Sequence, residues 1–305
     1  MSAQEKPPVV GHRYDFVYLF DVRDGNPNGD PDMANTPRFD PETFQGLVSD
    51  VCLKRKIRDY VYASKTAGGK VEPGFDVFVL QGHSLESRQR LPFDHLDELK
   101  GKAAANKTDP SAARTARDWM CRNFFDVRTF GAVMSTTEFN CGQVRGPVQI
   151  TFARSVDRIF STEHGITRQA HTTEKDQQEK GGATGAGTMG NKHTVAYGLY
   201  RAHGFVNPHF ATTTGFAEGD LEVLWQALTN MFDLDRSAAR GEMACRGLWA
   251  FRHPTPLGVA PAHTLFERIQ VRRKAGVEAP RTFSDYDVKV DDRNVPDGIE
   301  LVRLC

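Results

Sequence analysis

From Tyr14 the chain alternates, with Tyr14, Phe16, Tyr18 and Phe20 on one face and Asp15, Val17, Leu19 and Asp21 on the other, which is the period of a β-strand. Both faces are partly apolar, so the pattern predicts a central strand covered on two sides. Between Thr43 and Tyr62 there is no proline and a single early glycine, Gly46, while Phe44, Leu47, Val48 and Val51 recur at i, i+3, i+4 and i+7. That spacing predicts a helix packed on a sheet. Strand patterns are expected at Phe75–Leu80, near Val127–Phe130, at Gly146–Phe152, at His193–Tyr200 and at Ala202–Val206. A second helix is expected from Glu218 to Phe232, with Leu221, Leu224, Trp225 and Leu228 on one stripe.

Strands, a helix, more strands and another helix predict an α+β sheet core carrying two insertions. The first insertion is Ala63–Trp119, which holds Gly68-Gly69, the strand-like Phe75–Leu80 and a Lys- and Ala-rich stretch through Lys100, Lys102 and Lys107 to Arg114 and Arg117, and is expected to be a partly helical subdomain. The second is Glu163–Asn191, rich in Thr, Gln, Lys and Gly and nearly empty of large apolar residues. It is too long for a routine connection and too polar to bury, which predicts a functional loop or a segment disordered alone. No internal repeat is visible, and residues 1–305 are expected to form one domain.

Composition narrows the classes. At 305 residues the chain can bury roughly three quarters of its unfolded surface, enough to fold without staples. No apolar run approaches the ~18 residues of a membrane span, and Met1–Pro8 lacks the apolar core of a signal peptide, so a cytoplasmic location without membrane contact is expected. The five cysteines, Cys52, Cys121, Cys141, Cys245 and Cys305, are odd in number, far apart and free of any CxxC. They are expected to be reduced thiols. Thirty-nine basic and thirty-nine acidic residues cancel, which excludes a general polycation and requires any anion binding to be local.

The polar turn Asp24-Gly-Asn-Pro-Asn-Gly-Asp-Pro-Asp32 places Asp24, Asn26, Asn28, Gly29, Asp30 and Asp32 on the opening pattern of a calcium loop. The twelfth position is Asn35 where a bidentate Glu belongs, and a strand precedes the loop, so no metal site is expected. The turn is then either a loop whose Asn, Asp, Pro and Gly satisfy turn geometry or a polar surface facing a nucleic-acid backbone. Gly185-Ala-Gly-Thr-Met-Gly190 spells GxGxxG, but a polar run precedes it and a strand pattern follows, so a dinucleotide site fails on context. Arg201-Ala-His-Gly-Phe-Val206 only partly matches an RNA-recognition strand, and Phe205 is expected to pack a core.

There is no HExxH, no GxSxG and no tight His/Cys cluster. No enzymatic activity and no cofactor are expected, with a metal-dependent ribonuclease centred on Asp30 and Asp32 as the alternative. The densest charge is Lys54, Arg55, Lys56 and Arg58, whose mutual repulsion a polyanion would relieve. A third reading gives that basic helix an acidic protein neighbour.

Taken in order, Phe16-Val-Tyr-Leu-Phe-Asp-Val22, Asn26-Pro-Asn-Gly-Asp-Pro-Asp32, Leu47-Val-Ser-Asp-Val-Cys-Leu-Lys-Arg-Lys-Ile-Arg-Asp-Tyr60 and Asp126-Val-Arg-Thr-Phe-Gly131 resemble the Cas-seven family of CRISPR Cascade backbone subunits. Subtype I-C resembles the chain most and I-B is a near neighbour. Gly146-Pro-Val-Gln149, Asn191-Lys-His-Thr194 and Tyr197-Gly-Leu-Tyr200 extend the resemblance over most of the chain. It implies an α+β, RNA-recognition-motif-like (ferredoxin-like) palm, with 63–119 as a finger-like insertion and 163–191 as a thumb-like loop. It implies a non-catalytic subunit that oligomerises as a helical filament along CRISPR RNA and presents the guide to a target DNA strand in antiviral defence. Partners implied are other copies of the chain, a Cas-five-like subunit, a large subunit and a small subunit. The RNA-binding residues it implies are Asn28, Arg38, Ser49, Lys54, Arg55, Arg58, Phe130, Gly131, Arg145, Arg168, Met189, Lys192 and His193. Related type III backbone subunits cleave RNA with a loop aspartate, which is what makes Asp30 and Asp32 the alternative catalytic pair.

Overall fold

The computed structural model describes residues 8–103, 109–135, 138–168 and 188–305. The alternation at Tyr14 builds strand β1 (Tyr14–Gly25). After the polar turn come strand β2 (Gln45–Val48) and helix α1 (Asp50–Ser64), capped by Ser49, whose Oγ accepts the Cys52 N–H at 3.2 Å. A helical layer follows, with α2 (Leu85–His95), α3 (Pro110–Asn123) and α4 (Phe125–Phe130), then the strand pair β3 (Gly131–Val133) and β4 (Gln143–Arg145). Strands β5 (Val148–Ile150), β6 (Ala153–Arg158), β7 (Ser161–Arg168) and the long β8 (Thr188–Val206) return to the sheet. Helices α5 (Pro208–Thr214) and α6 (Glu218–Leu234) lead to β9 (Glu242–Arg252). Last come α7 (Ala262–Phe266), the paired strands β10 (Ile269–Arg273) and β11 (Tyr286–Val290), and β12 (Glu300–Arg303).

The sheet runs β12-β9-β1-β8-β6-β2, with β5 and β7 also paired to β8, and all of these pairings are antiparallel. Strand β1 is central, as its two-faced alternation predicts. Phe16, Tyr18 and Phe20 are fully buried against Leu53, Ile57 and Val61 of α1 and Leu224, Leu228 and Phe232 of α6. Each such side chain contributes roughly 1.5–3 kcal/mol by leaving water. The opposite face carries Val17 and Leu19, which pack with Trp249, Phe251, Leu265, Phe266 and Ile269 beneath the C-terminal segment.

The expected helix Thr43–Tyr62 starts late. Residues 45–48 are strand, because β2 pairs with β6 at Val48↔Ala153 and Leu47↔Arg154, and the run of i, i+3 apolar residues also satisfies a short half-buried strand. Phe44 is an exposed turn residue with φ 58°. Val127–Phe130 is helix α4, not strand, and Phe75–Leu80 is irregular, with one isolated bridge between Asp76 and Phe124. The helical layer has its own apolar cluster, from Phe78 through Ala116, Met120 and Phe124 to Cys141, and so runs on beyond Trp119. The ends of the polar stretch Glu163–Asn191 are paired strand, from Ser161↔Val195 to Arg168↔Thr188, not loop. Its middle, 169–187, lies outside the described residues. The expected helix Glu218–Phe232 is α6, and Leu221, Leu224 and Leu228 are buried on its core face. No helix among the described residues is long and apolar enough to cross a membrane.

Candidate nucleic-acid interface

The polar turn and helix α1 form one unit. Asn28 Oδ1 accepts the Ser49 backbone N–H at 2.9 Å and the Ser49 hydroxyl at 3.0 Å, so the residue that caps the helix is itself oriented by the turn. Arg38 N–H donates to the Asn28 carbonyl at 3.1 Å, and the Arg38 guanidinium pairs with Asp30 Oδ2 at 3.0 Å. The other Asp30 oxygen accepts the Asp32 N–H at 3.1 Å and caps a short 3-10 turn. Both Asp30 oxygens therefore have structural partners, while Asp32 is exposed.

The basic helix is neutralised from within the chain. Lys54 pairs with Asp50 at 2.9 Å, Arg55 with Asp59 at 3.0 Å, and Arg58 with the buried Asp126 at 2.8 Å. Lys56 is buried and bonded to Asp235, a carboxylate that also meets Arg240 at 2.6 Å and Arg55 at 3.5 Å. Burial pushes the Lys56 ammonium below its ordinary value, opposed by Cys52 and Asp235. The repulsion inferred from four cations in five residues is thus relieved by carboxylates, and Lys56 is a core residue with no surface to offer. Side-chain exposure is 14% for Lys54 and 12% for Arg58, against 43% for Arg55, so Arg55 is the most accessible of the set.

Lys54 Nζ and the Arg58 guanidinium lie 5.7 Å and 5.4 Å from the centre of the Phe130 ring, within cation–π range. Phe130 ends α4, and Gly131 follows with φ 81° and ψ 168°, a backbone region open essentially only to glycine. A Cβ at Gly131 would sit 2.4 Å from the Val144 carbonyl oxygen, and one at Gly146 would sit 2.4 Å from the Gly131 nitrogen. The two glycines let the start of β3 and the end of its antiparallel partner β4 meet at backbone contact. Gly131 pairs with Arg145 in register, and Arg145 is exposed, its guanidinium 4.3 Å from the centre of the Phe210 ring. No carboxylate pairs with Arg145 among the described residues.

These contacts bring Asn28, Arg38 and Ser49 together, Lys54, Arg55, Arg58 and Phe130 together, and Gly131 beside Arg145. Lys192 and His193 sit on β8 just beyond Val195, where its pairing with β1 ends at Gly25. The short strand Thr36–Pro37 of the polar turn packs on the same β8, so the turn and the root of the β7–β8 arm are neighbours. Arg168 and Met189 are on the paired backbone of that arm, and their side chains lie outside the described part of the structure.

Sequence reasoning missed the carboxylates that set the charge of this edge. Asp126 and Asp235 lie 68 and 179 residues from the cations they meet, a separation that leaves no local spacing signal. It also missed Arg128, which makes a buried two-pronged contact with Asp220 at 2.6 and 2.9 Å and donates to the Gly74 carbonyl. Half of the Asp126–Gly131 motif is therefore architecture.

A family model described as CRISPR-associated protein Cas7 matches residues 12–291. Over 248 residues the chain is 27% identical to the CRISPR-associated protein Cas7 of Haloferax volcanii, a match covering 72% of this chain and 65% of that protein. The matched region thus spans just under two thirds of that relative's length. Among solved structures, the chain is similar to one in a CRISPR RNA-guided surveillance complex described as pre-nicking, with a TM-score of 0.48, 15% identity and 78% coverage of each chain. It is also similar to a chain of another CRISPR RNA-guided surveillance complex, with a TM-score of 0.44, 14% identity and coverage of 78% and 68%. A chain of the type III-B Cmr-beta complex bound to cognate target RNA is similar at a TM-score of 0.39, 10% identity and coverage of 78% and 60%.

Proposed function

Since the chain belongs to the Cas7 family of CRISPR-associated proteins, we propose that it is a non-catalytic backbone subunit of a type I-C surveillance complex that binds CRISPR RNA and displays it to a target DNA strand. Copies stack along the guide, and the chain meets a Cas-five-like, a large and a small subunit. The observation that carries this reading is the continuity of one edge of the molecule. The hydrogen bonds from Ser49 to Asn28 fix the polar turn to the start of α1, and the same helix reaches Phe130, Gly131 and Arg145 through Lys54. Such an edge offers amides, backbone groups and a few cations to a phosphate backbone, with sequence left to base pairing. The contact residues proposed are Asn28, Arg38, Ser49, Lys54, Arg55, Phe130, Gly131, Arg145, Lys192 and His193, with Arg58 acting mainly by positioning Phe130.

The strand order β9-β1-β8-β6, with α1 between β1 and β6 and α6 between β8 and β9, is that of a split β-α-β unit. It supports the palm reading. The apolar cluster around Phe78 and Met120 supports a finger that includes 63–119, and the β7–β8 arm supports a thumb rooted at Ser161 and Val195.

Binding without cutting is tested with purified protein and single-stranded RNA in the presence of magnesium or manganese. We expect retained, intact RNA, and co-expression with the partner subunits should yield short RNA of uniform length. Metal-dependent cleavage that Asp30→Ala or Asp32→Ala abolishes would overturn the non-catalytic reading. The Arg38 partner of Asp30 favours a structural part for that residue.

A further inference from the structure

On the sheet face away from α1, a trench runs between the root of the β7–β8 arm and the loop that joins β10 to β11. Its widest part, about 690 Å³, is bordered by Gln45, Arg158, Arg273 and Glu278. A narrower section of about 170 Å³ continues over Tyr197 and past Phe160 and Arg281, and a third adjoins it through Tyr197 and Arg281 to reach Arg246 and Phe283.

Charge in the trench is unevenly matched. Asp21 accepts from Arg246 at 2.7 Å and from the Tyr197 hydroxyl at 2.8 Å, and Asp157 accepts from the Tyr286 hydroxyl at 2.8 Å with Arg273 at 3.8 Å. Glu242 faces Arg23 at 3.8 Å. Neither the Arg158 nor the Arg281 guanidinium pairs with a carboxylate among the described residues; that of Arg281 donates to the Pro280 carbonyl at 3.0 Å, while its backbone N–H donates to Asp285 at 2.7 Å, and Glu278 is the one trench acid without a cation. Arg158 instead lies 5.6 Å from the centre of the Phe160 ring, and Arg246 lies 5.6 Å from that of Phe283. Phe160 is 68% exposed, so no core needs its ring. Phe283 is half-buried against Tyr197 and Tyr286, so the open groove offers two guanidiniums free of carboxylates and one exposed ring, Phe160, which matches what single strands require, because phosphates take the cations and any base can stack on a phenyl face.

We propose that this trench is a second nucleic-acid site, which takes a single strand by its backbone and stacks a base on Phe160, separate from the edge at Ser49 and Arg145. Arg158 and Arg281 hold phosphates, and Arg246 with Phe283 extends the track. Phe160 and Arg158 are exposed, so replacing them leaves the fold intact.

The probe is a fluorescent oligothymidylate of about 12 nucleotides, titrated onto full-length protein already saturated with unlabelled oligouridylate RNA. We expect the DNA to bind without displacing the RNA. Phe160→Ala, and Arg158→Gln with Arg281→Gln, should weaken the DNA by roughly tenfold and leave RNA affinity unchanged. Arg145→Gln should do the reverse. Mutual displacement of the two oligonucleotides, or DNA affinity indifferent to all three substitutions, overturns the second site and leaves the proposed function standing. DNA bound through Phe160 by a protein that does not bind RNA supports the trench and removes the guide edge instead. Polyglutamate competing as well as the DNA, without sensitivity to Phe160→Ala, identifies a surface for acidic protein and overturns the proposal.

Discussion

Arg58 Nε donates to Asp126 Oδ2 at 2.8 Å, while Asp126 Oδ1 accepts the Phe78 N–H at 2.7 Å and Oδ2 also accepts that of Val79 at 3.1 Å. One buried carboxylate thus ties helix α1 to the entrance of the helical layer. Removing it strands a nearly buried guanidinium and two backbone donors. Asp126→Ala should cost about 3–5 kcal/mol, read as a lower urea midpoint. The double variant with Arg58→Ala should cost less than the sum of the two. Additive losses would show that the pair does not act as a unit.

Asp235 is the matching hub at the other side of α1, since it meets Lys56, Arg55 and Arg240. The Lys56 side chain is fully buried, and the two arginines remain as partners of Asp235 if Lys56 goes. Lys56→Met should therefore change stability by less than about 1.5 kcal/mol, because a flexible apolar chain fills the space. Asp235→Ala should cost about 3 kcal/mol or more, since it leaves Lys56 charged without a partner. Equal losses in chemical denaturation would contradict this asymmetry.

Much of this architecture was legible along the chain, and the unread part has a physical cause. The β1 alternation is visible because both faces of the strand meet side chains, so Phe16 and Leu19 must each be apolar. Helix α6 is visible for the same reason on one face. The boundary at Ser49 is not, because Leu47 and Val48 fit a helix stripe as well as they fit β2, and only the distant partner β6 decides. Charge was legible in amount but not in meaning. Lys54 to Arg58 look like a surface for a polyanion until Asp126 and Asp235 arrive from elsewhere in the sequence, and Arg158 beside Phe160 drew no notice because neither belongs to a dense cluster.

Glycine requirements separate along the same lines. Gly131 and Gly142 both have positive φ, 81° and 71°, but a Cβ at Gly131 meets the Val144 carbonyl at 2.4 Å and one at Gly142 meets nothing within 4 Å. Gly142→Ala should cost about 1 kcal/mol from backbone strain alone. Gly131→Ala should cost clearly more, about 3 kcal/mol, and should displace Phe130 from Lys54 and Arg58. Thermal unfolding of the two variants side by side checks the order, and equal shifts would show that the contact between the start of β3 and the end of β4 is slack.

His203 is a source of acid sensitivity. Its ring stacks on Phe266 at 4.2 Å between ring centres, Nε2 accepts from Arg201 Nε at 3.0 Å, and burial together with that guanidinium pulls its pKa down to about 4. Above the ordinary histidine value the ring is neutral whether the chain is folded or not. Between that value and about 4 the unfolded chain takes up a proton that the folded chain refuses, so stability falls as pH falls across this window. His203→Phe should flatten the fall, and the His203 ring should titrate by NMR near 4, well below the ordinary histidine value. A His203 titration near its ordinary value would remove it as the cause.

Arg145 offers the cleanest reading of the guide edge, because it is exposed, stacked 4.3 Å from the centre of the Phe210 ring and free of carboxylates among the described residues. Its loss costs the fold little, within about 0.5 kcal/mol for a surface site. If it neutralises one phosphate, Arg145→Gln should weaken oligouridylate binding and lower the slope of log affinity against log salt by about 0.7. Lys54→Gln should lower the slope by a similar amount only if RNA displaces Asp50 from its 2.9 Å contact. Arg58→Gln should act mostly through stability, since its Asp126 partner is buried and already shared with two backbone donors. Anisotropy titrations at several salt concentrations, paired with urea midpoints for each variant, separate these effects. A wild-type slope and affinity for Arg145→Gln would take Arg145, and the Gly131 backbone beside it, out of the proposed RNA path.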